Sequence, residues 1–392
     1  MIRHQTMVHT VHSPATIVYG SGSFETLAQH VKKLGTKALI VSDPIMEDLG
    51  IVEKCVTFAG VPAVTYTGIT SEPLDIYVDE GLALLQQHEC NVIISIGGGS
   101  CIDTAKAISI VATNRGYIGD YMNGATAITE SGVPHIAIPT TAGTGSEATD
   151  ATVITNSAKD IKMMIKDPAF MPTVALVDAQ LTLTSPRHIT AATGVDALSH
   201  AIESLLSRKS HPFSAQLAHS AAQLITGNLV AAYENGSDVA AREAMALGSL
   251  QAGMSFSNAS VALVHGMSRP IGALFHVPHG ISNAMLLPAV LEFSFDDSIP
   301  QLASLAPYFI DNVSAFSETE AAREVIVAIK ALCRRLDIPN LKGYGINEAA
   351  FKEAIPKMVH DAIASGSPAN HPRIPTDEEL AQLYEIAYHY EF

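Results

Sequence analysis

The chain has 392 residues, 47% of them hydrophobic and 16% charged, with a formal net charge of -16. That length allows two domains with separate cores, and the composition excludes a disordered or coiled-coil chain. The acidic balance argues against nucleic acid and against an anionic membrane surface as main partners.

The elements are read in chain order. Residues 1–14 hold no apolar core of signal-peptide length, and no run reaches the roughly 18 apolar residues of a membrane span. A soluble, cytoplasmic protein with no membrane partner is expected. Apolar, β-branched runs at 37–43, 62–67, 91–97, 134–140 and 173–178 predict strands. Segments 46–60, 75–89 and 100–113 between them predict helices. Alternating strands and helices imply an α/β unit with a mostly parallel sheet covered on both faces. Runs 151–155 and 161–165, split by a polar turn, predict an inserted hairpin. From about residue 185 strand-like alternation gives way to Ala- and Leu-rich helical spacing at 187–207, 212–235, 238–258, 320–337 and 376–390. The boundary is placed near Pro186, which can open a helix. The expected units are an α/β domain, 1–184, and an all-helical domain, 185–392. Cys55, Cys90, Cys101 and Cys333 match neither a zinc knuckle nor a redox pair and read as reduced core thiols.

Three segments carry chemistry. In 93–106 an apolar strand runs into Gly97-Gly98-Gly99-Ser100 and then a helix bearing Asp103. That order puts backbone N–H groups and a helix N-terminus where a phosphate can bind. It also suits a tight turn with no ligand. In 139–149, Thr140, Thr141, Thr144, Ser146 and Thr149 surround two glycines directly after a strand. Such a loop can wrap a polar ligand or cap a helix. Asp43, at the end of the first internal strand, is placed either to bond a ribose hydroxyl or to cap a helix at Pro44. The third is a set of potential ligands. Asp196 and His200 are four apart on a predicted helix and share a face. His265 lies in a helix-like stretch, and His279 sits between Pro278 and Gly280 at a helix end or turn. One carboxylate and three imidazoles suit Zn²⁺ or Fe²⁺ rather than Ca²⁺. Each histidine taken alone also fits an ordinary core or surface role.

The ordered motifs GGGSCIDTAK, PTTAGTGSE, DPAFMPTVALVD, ATGVDALSHAIES and VHGMSRPIGALFHVPHG resemble the iron-containing (group III) alcohol dehydrogenase family over nearly the whole chain. The resemblance implies a nucleotide-binding α/β domain joined to an all-α domain, the dehydroquinate synthase-like arrangement, with NAD and a divalent metal in the cleft between them. It implies Asp196, His200, His265 and His279 as the metal ligands, with iron favoured over zinc. It rests the dinucleotide pyrophosphate on Gly97, Gly98, Gly99 and Ser100, with Asp103 on the helix behind them. Thr140, Thr141, Thr144, Thr149 and Lys162 would line the cofactor, with Leu181 packed nearby. Asp43 would hold the adenosine ribose, which favours NAD over NADP.

The implied activity is hydride transfer between NAD and a small primary or secondary alcohol, or its aldehyde or ketone. No side chain beyond the metal centre needs to act as nucleophile, and a homodimer or larger homo-oligomer is expected. The pattern departs from the family at Arg269, where relatives commonly carry histidine. Arginine keeps its proton, so a relay through this position is not available. Arg269 suits a carboxylate, sulfonate or phosphonate on the substrate, or pairs with a local carboxylate such as Asp150. A hydroxyacid–oxoacid transhydrogenase or a reductase of anionic aldehydes is therefore the alternative. Asp150, Phe256 and His276 join Arg269 as candidates for contact with substrate.

Overall fold

The computed structural model describes residues 8–159 and 161–392. Its strands are β1 (Thr16–Tyr19), β2 (Ala38–Val41), β3 (Ala63–Tyr66), β4 (Val92–Gly97), β5 (His135–Pro139), β6 (Ala151–Asn156), β7 (Ile161–Lys166) and β8 (Val174–Val177). Six of them form one parallel sheet in the order β1-β8-β5-β4-β2-β3. β2, β4, β5 and β8 are buried at every position. Unbroken apolar runs form such strands because helices cover both faces of the sheet. β6 and β7 pair antiparallel as the expected hairpin, apart from the main sheet.

Helices α1 (Leu27–Leu34), α2 (Pro44–Asp48), α3 (Ile51–Ala59), α4 (Asp75–Gln87) and α5 (Gly99–Asn114) connect the strands. The single helix expected over 46–60 is two. Asp43 caps α2 by accepting from the Met46 N–H, and Gly50, at φ +69°, turns the chain before α3. Left-handed backbone of this kind costs glycine nothing.

The second half is helical: α6 (Arg187–Leu206), α7 (Pro212–Glu234), α8 (Val239–Ala259), α9 (Leu263–Phe275), α10 (His279–Phe293), α11 (Phe295–Leu305), α12 (Glu318–Arg335), α13 (Leu341–Tyr344), α14 (Glu348–Ala364) and α15 (Asp377–Tyr388). Pro186 precedes α6, Asp238 caps α8 and Thr376 caps α15. The expected helices correspond to α6, α7, α8, α12 and α15. Helices α10, α11 and α14 have no counterpart among them, and each carries an interior proline: Pro288, Pro300 and Pro356. Proline removes a helical N–H and reads as a breaker, yet packing on neighbouring helices holds these segments together. Among the described residues no helix is long and apolar enough to cross a membrane.

The sheet meets the helical half through backbone. At Gly253 on α8 a Cβ atom would stand 2.5 Å from the Gly145 carbonyl oxygen, and one at Gly145, φ +60°, would stand 2.6 Å from the Gly253 Cα. The threonine-rich loop after β5 is thereby pressed flat on α8. Alanine is favoured over glycine inside a helix by about 1 kcal/mol, yet Gly253→Ala should lower stability by roughly 1–3 kcal/mol, because the clash is with backbone that cannot rotate away. Thermal unfolding of the two proteins checks this.

Candidate active site

α6 carries Asp196 and His200 one turn apart, α9 carries His265, and His279 opens α10 directly after Pro278. One ligand atom from each of the four lies within 4.8 Å of every other. The Nε2 atoms of His200 and His265 are 2.8 Å apart, and Asp196 Oδ1 is 3.7 Å from His265 Nε2 and 3.9 Å from His279 Nε2. Three of these residues are buried. The His279 side chain is 34% exposed and opens the cluster to the cleft.

Whether the donors fit a metal is decided by where the protons are. Glu203 Oε2 accepts from His265 Nδ1 at 2.5 Å, and its other oxygen accepts from the Val264 N–H at 2.6 Å. The His265 proton therefore sits on Nδ1, and Nε2 presents a lone pair. Asn283 Nδ2 lies 2.7 Å from Asp196 Oδ1, 3.0 Å from His265 Nε2 and 3.1 Å from His279 Nε2. An amide nitrogen has only two hydrogens for these three acceptors. Burial drives all three imidazoles well below their ordinary pKa, so they are neutral, the form that binds metal. Burial, reinforced by Glu203 and opposed by the Asn283 hydrogen bond, pushes Asp196 up to about 7. A surplus of lone pairs around an unpaired carboxylate is the environment a divalent cation completes, and nitrogen with carboxylate suits iron or zinc.

His200, His265 and His279 line one wall of a cavity of about 340 Å³, and Asp196 is buried outside the lining. Gly99 and Ser100, at the start of α5, and Thr144 form another part of the wall. A Cβ on Gly99 would stand 2.8 Å from the Thr144 side chain, so the glycine run and the threonine loop close on each other. Gly97, Gly98, Asp43, Thr140 and Thr141 are outside the lining of this cavity, at the carboxyl ends of β4, β2 and β5. Thr140 donates its N–H to the Gly97 carbonyl at 2.9 Å. Asp43 uses one oxygen as the α2 cap and turns the other toward Gly97 and the Cys101 thiol. Leu181 is buried in the core on one side of the sheet.

Asp103 and Thr149 already have protein partners. Asp103 accepts from Ser146 and, at 2.9 Å, from the Val153 N–H. The fully buried Lys106, which sequence reasoning missed, donates to Thr149 Oγ1 and the Ala151 carbonyl at 2.8 Å and to Ser146 Oγ at 3.1 Å. Together they brace the threonine loop against α5.

Phe256 stacks on the His200 ring with centroids 4.3 Å apart, inside the cavity. Lys162 pairs with Glu72. Asp150 pairs with Lys166 at 3.4 Å and accepts from Ser257 at 2.8 Å, so it is not the partner of Arg269. The Arg269 guanidinium donates instead to Ser367 Oγ at 2.9 Å and to the Met164 sulfur at 3.0 Å. His276 is the exposed, left-handed C-cap of α9 and lies outside the cavity lining.

Sequence reasoning also missed Glu203 and Asn283, and both had a signal. Glu203 follows His200 by three residues and Asn283 follows His279 by four, spacings that share a helix face with a ligand.

Family models match both halves of the chain. Residues 14–179 match the iron-containing alcohol dehydrogenase model, and residues 190–388 match the C-terminal model of the Fe-containing alcohol dehydrogenase family. The NAD-dependent methanol dehydrogenase of Bacillus methanolicus is 38% identical over 95% of this chain and 98% of its own. The crystal structure of a 1,3-propanediol oxidoreductase superposes with a TM-score of 0.93 at 33% identity, over 97% of this chain and 100% of that one. The sulfoacetaldehyde reductase of Bifidobacterium kashiwanohense, solved with NAD⁺, gives a TM-score of 0.87 at 28% identity over 98% and 100%. The chain belongs to the iron-containing alcohol dehydrogenase family.

Because Glu203 sets the His265 tautomer, Glu203→Ala should weaken metal binding about 10- to 100-fold. Competition with a chelator measures the loss, and Glu203→Gln, which keeps an acceptor, should lose less.

Proposed function

We propose that this chain is an NAD-dependent, metal-dependent dehydrogenase of small primary or secondary alcohols that also reduces the matching aldehydes or ketones. The observation that carries this reading is that His200, His265 and His279, clustered with the buried Asp196, line the same cavity as the glycine-rich start of α5. The relative named NAD-dependent and the relative solved with NAD⁺ support the choice of cofactor. Iron is the metal we favour, from the family, and zinc fits the same donors.

When bound, the metal supplies a Lewis acid for the alcohol or carbonyl oxygen and the nicotinamide supplies the hydride acceptor or donor. The residues of the chain hold, orient and shield. The N-terminus of α5 offers backbone N–H groups to the pyrophosphate, and Gly97 to Ser100 let it come close. Thr140, Thr141 and Thr144 follow the same edge, and we assign Lys162, which lines the cavity, to the cofactor, with Leu181 packed in the core behind. Asp43 takes the ribose hydroxyls with the oxygen that does not cap α2. Asp103 and Thr149 act by bracing the loop. Asp196, His200, His265 and His279 are the metal ligands, and Phe256 covers His200 and keeps water from that side. Asp150 holds Lys166 at the cavity rim.

The α/β unit is assigned to 1–184 and the helical unit to 185–392, since the last strand ends at Val177 and α6 begins at Arg187. The four unpaired cysteines support a cytoplasmic setting. Self-association is supported by β1, an edge strand that leaves Tyr19 61% exposed.

Chelation should abolish NADH oxidation with propanal, followed at 340 nm, and added Fe²⁺ should restore it. Protein that binds metal and NADH yet turns over no carbonyl compound contradicts the reading. Asp43→Ser keeps a capping oxygen and loses the charge, so it should shift kcat/KM toward NADPH over NADH by about tenfold or more.

A further inference from the structure

Cations in the cleft are matched by carboxylates, with one exception. Of the acidic residues lining the cavity, Glu72 pairs with Lys162, Asp150 with Lys166 and Asp103 with Lys106. Arg269 also lines the cavity and has no carboxylate within 4.0 Å among the described residues. Its polar partners are one hydroxyl, Ser367, and one thioether, Met164. A guanidinium carries five N–H donors in a planar fork, and sulfur is a weak acceptor. Most of its donor capacity is therefore unused, on a side chain that lines the cavity. The group is half-buried, and burial lowers its pKa to about 10, so it stays charged at neutral pH. A partly desolvated cation with no counter-charge is costly, and an arriving anion relieves that cost.

The position is defined from both halves of the molecule. Met164 comes from β7 and Ser367 from the segment after α14. Arg269 follows His265 by one turn of α9, so the two backbones are about 6 Å apart along the helix. A ligand that bridges from the metal ligands to the guanidinium is short.

Resting on the dehydrogenase reading above, we propose that Arg269 binds an oxyanion group at the far end of the substrate. The preferred substrates are then short aldehydes, and the matching hydroxy compounds, that carry a carboxylate or similar charge. A carboxylate is the planar match for the guanidinium fork.

The test uses the metal-loaded enzyme with NADH and two pairs of aldehydes: glyoxylate against propanal, and 4-oxobutanoate against pentanal. In the wild type at least one anionic member should exceed its neutral partner by tenfold or more in kcat/KM. The advantage should shrink as salt rises. Arg269→Met should lower the anionic-to-neutral ratio by about 10- to 100-fold, and Arg269→Lys by less. Propionate should bind the metal-loaded enzyme–NAD complex in calorimetry and lose that binding in Arg269→Met. A wild type with no preference for the anion overturns the proposal, and so does an equal loss on both members of a pair. A variant that mainly weakens NADH binding also overturns it, since Arg269 would then serve the cofactor phosphates. If Arg269→Met does not fold, the wild-type preference, its salt dependence and Arg269→Lys decide. If neither class of aldehyde is reduced, the dehydrogenase reading fails, and the propionate titration still decides on Arg269.

Discussion

Four electron-pair donors in one buried place repel each other unless a cation stands among them, and the helical half of this protein is organised around that requirement. Asp196, His200, His265 and His279 come from three helices, α6, α9 and α10. Burial keeps the imidazoles neutral, so none of them can neutralise Asp196. Glu203 and Asn283 fix proton positions and orientations without supplying the missing charge. Pro278 sets the angle at which α10 starts, and so where His279 points.

The other half supplies a wall rather than ligands. The parallel sheet ends its strands at the cleft, where helix N-termini and glycines leave backbone N–H groups available. The threonine loop is held from two sides, by the Gly145–Gly253 backbone contact and by Lys106 beneath it. Neither contact involves Asp196 or the three clustered histidines, yet both hold the loop that walls the cavity. A buried lysine with several hydrogen bonds also makes the loop intolerant of slippage, since freeing any partner leaves a polar group unsatisfied.

Under the proposed function, helix α9 joins coordination to specificity. It presents His265 to the ligand cluster and Arg269 to the cavity, one turn apart on the same side. Under the proposed function, one rigid element would set both the carbonyl end and the charged end of the substrate. Lys162 and Lys166, although cationic, are already neutralised by Glu72 and Asp150. The charge left over in the cleft depends on pairings between residues far apart in the chain.

Much of this was legible in the amino-acid order. Unbroken apolar runs named five of the six parallel strands, all but the short edge strand β1, and ligand types at helical spacing named Asp196 and His200. The motif order named the family. What periodicity could not reach were helices with interior prolines, such as α10, because a local rule reads Pro288 as a break while tertiary packing overrides it. Residues that act by touching distant partners were equally hidden, Lys106 and Ser367 among them. Sequence alone determined which chemical groups are present and which lie on a common face, because those depend on residue type and on helix or strand period. Only the tertiary structure decided which charges cancel. Asp150 went to Lys166 and Arg269 was left without a counter-ion, because ion pairing depends on distances of a few ångströms between chain segments that no local pattern encodes.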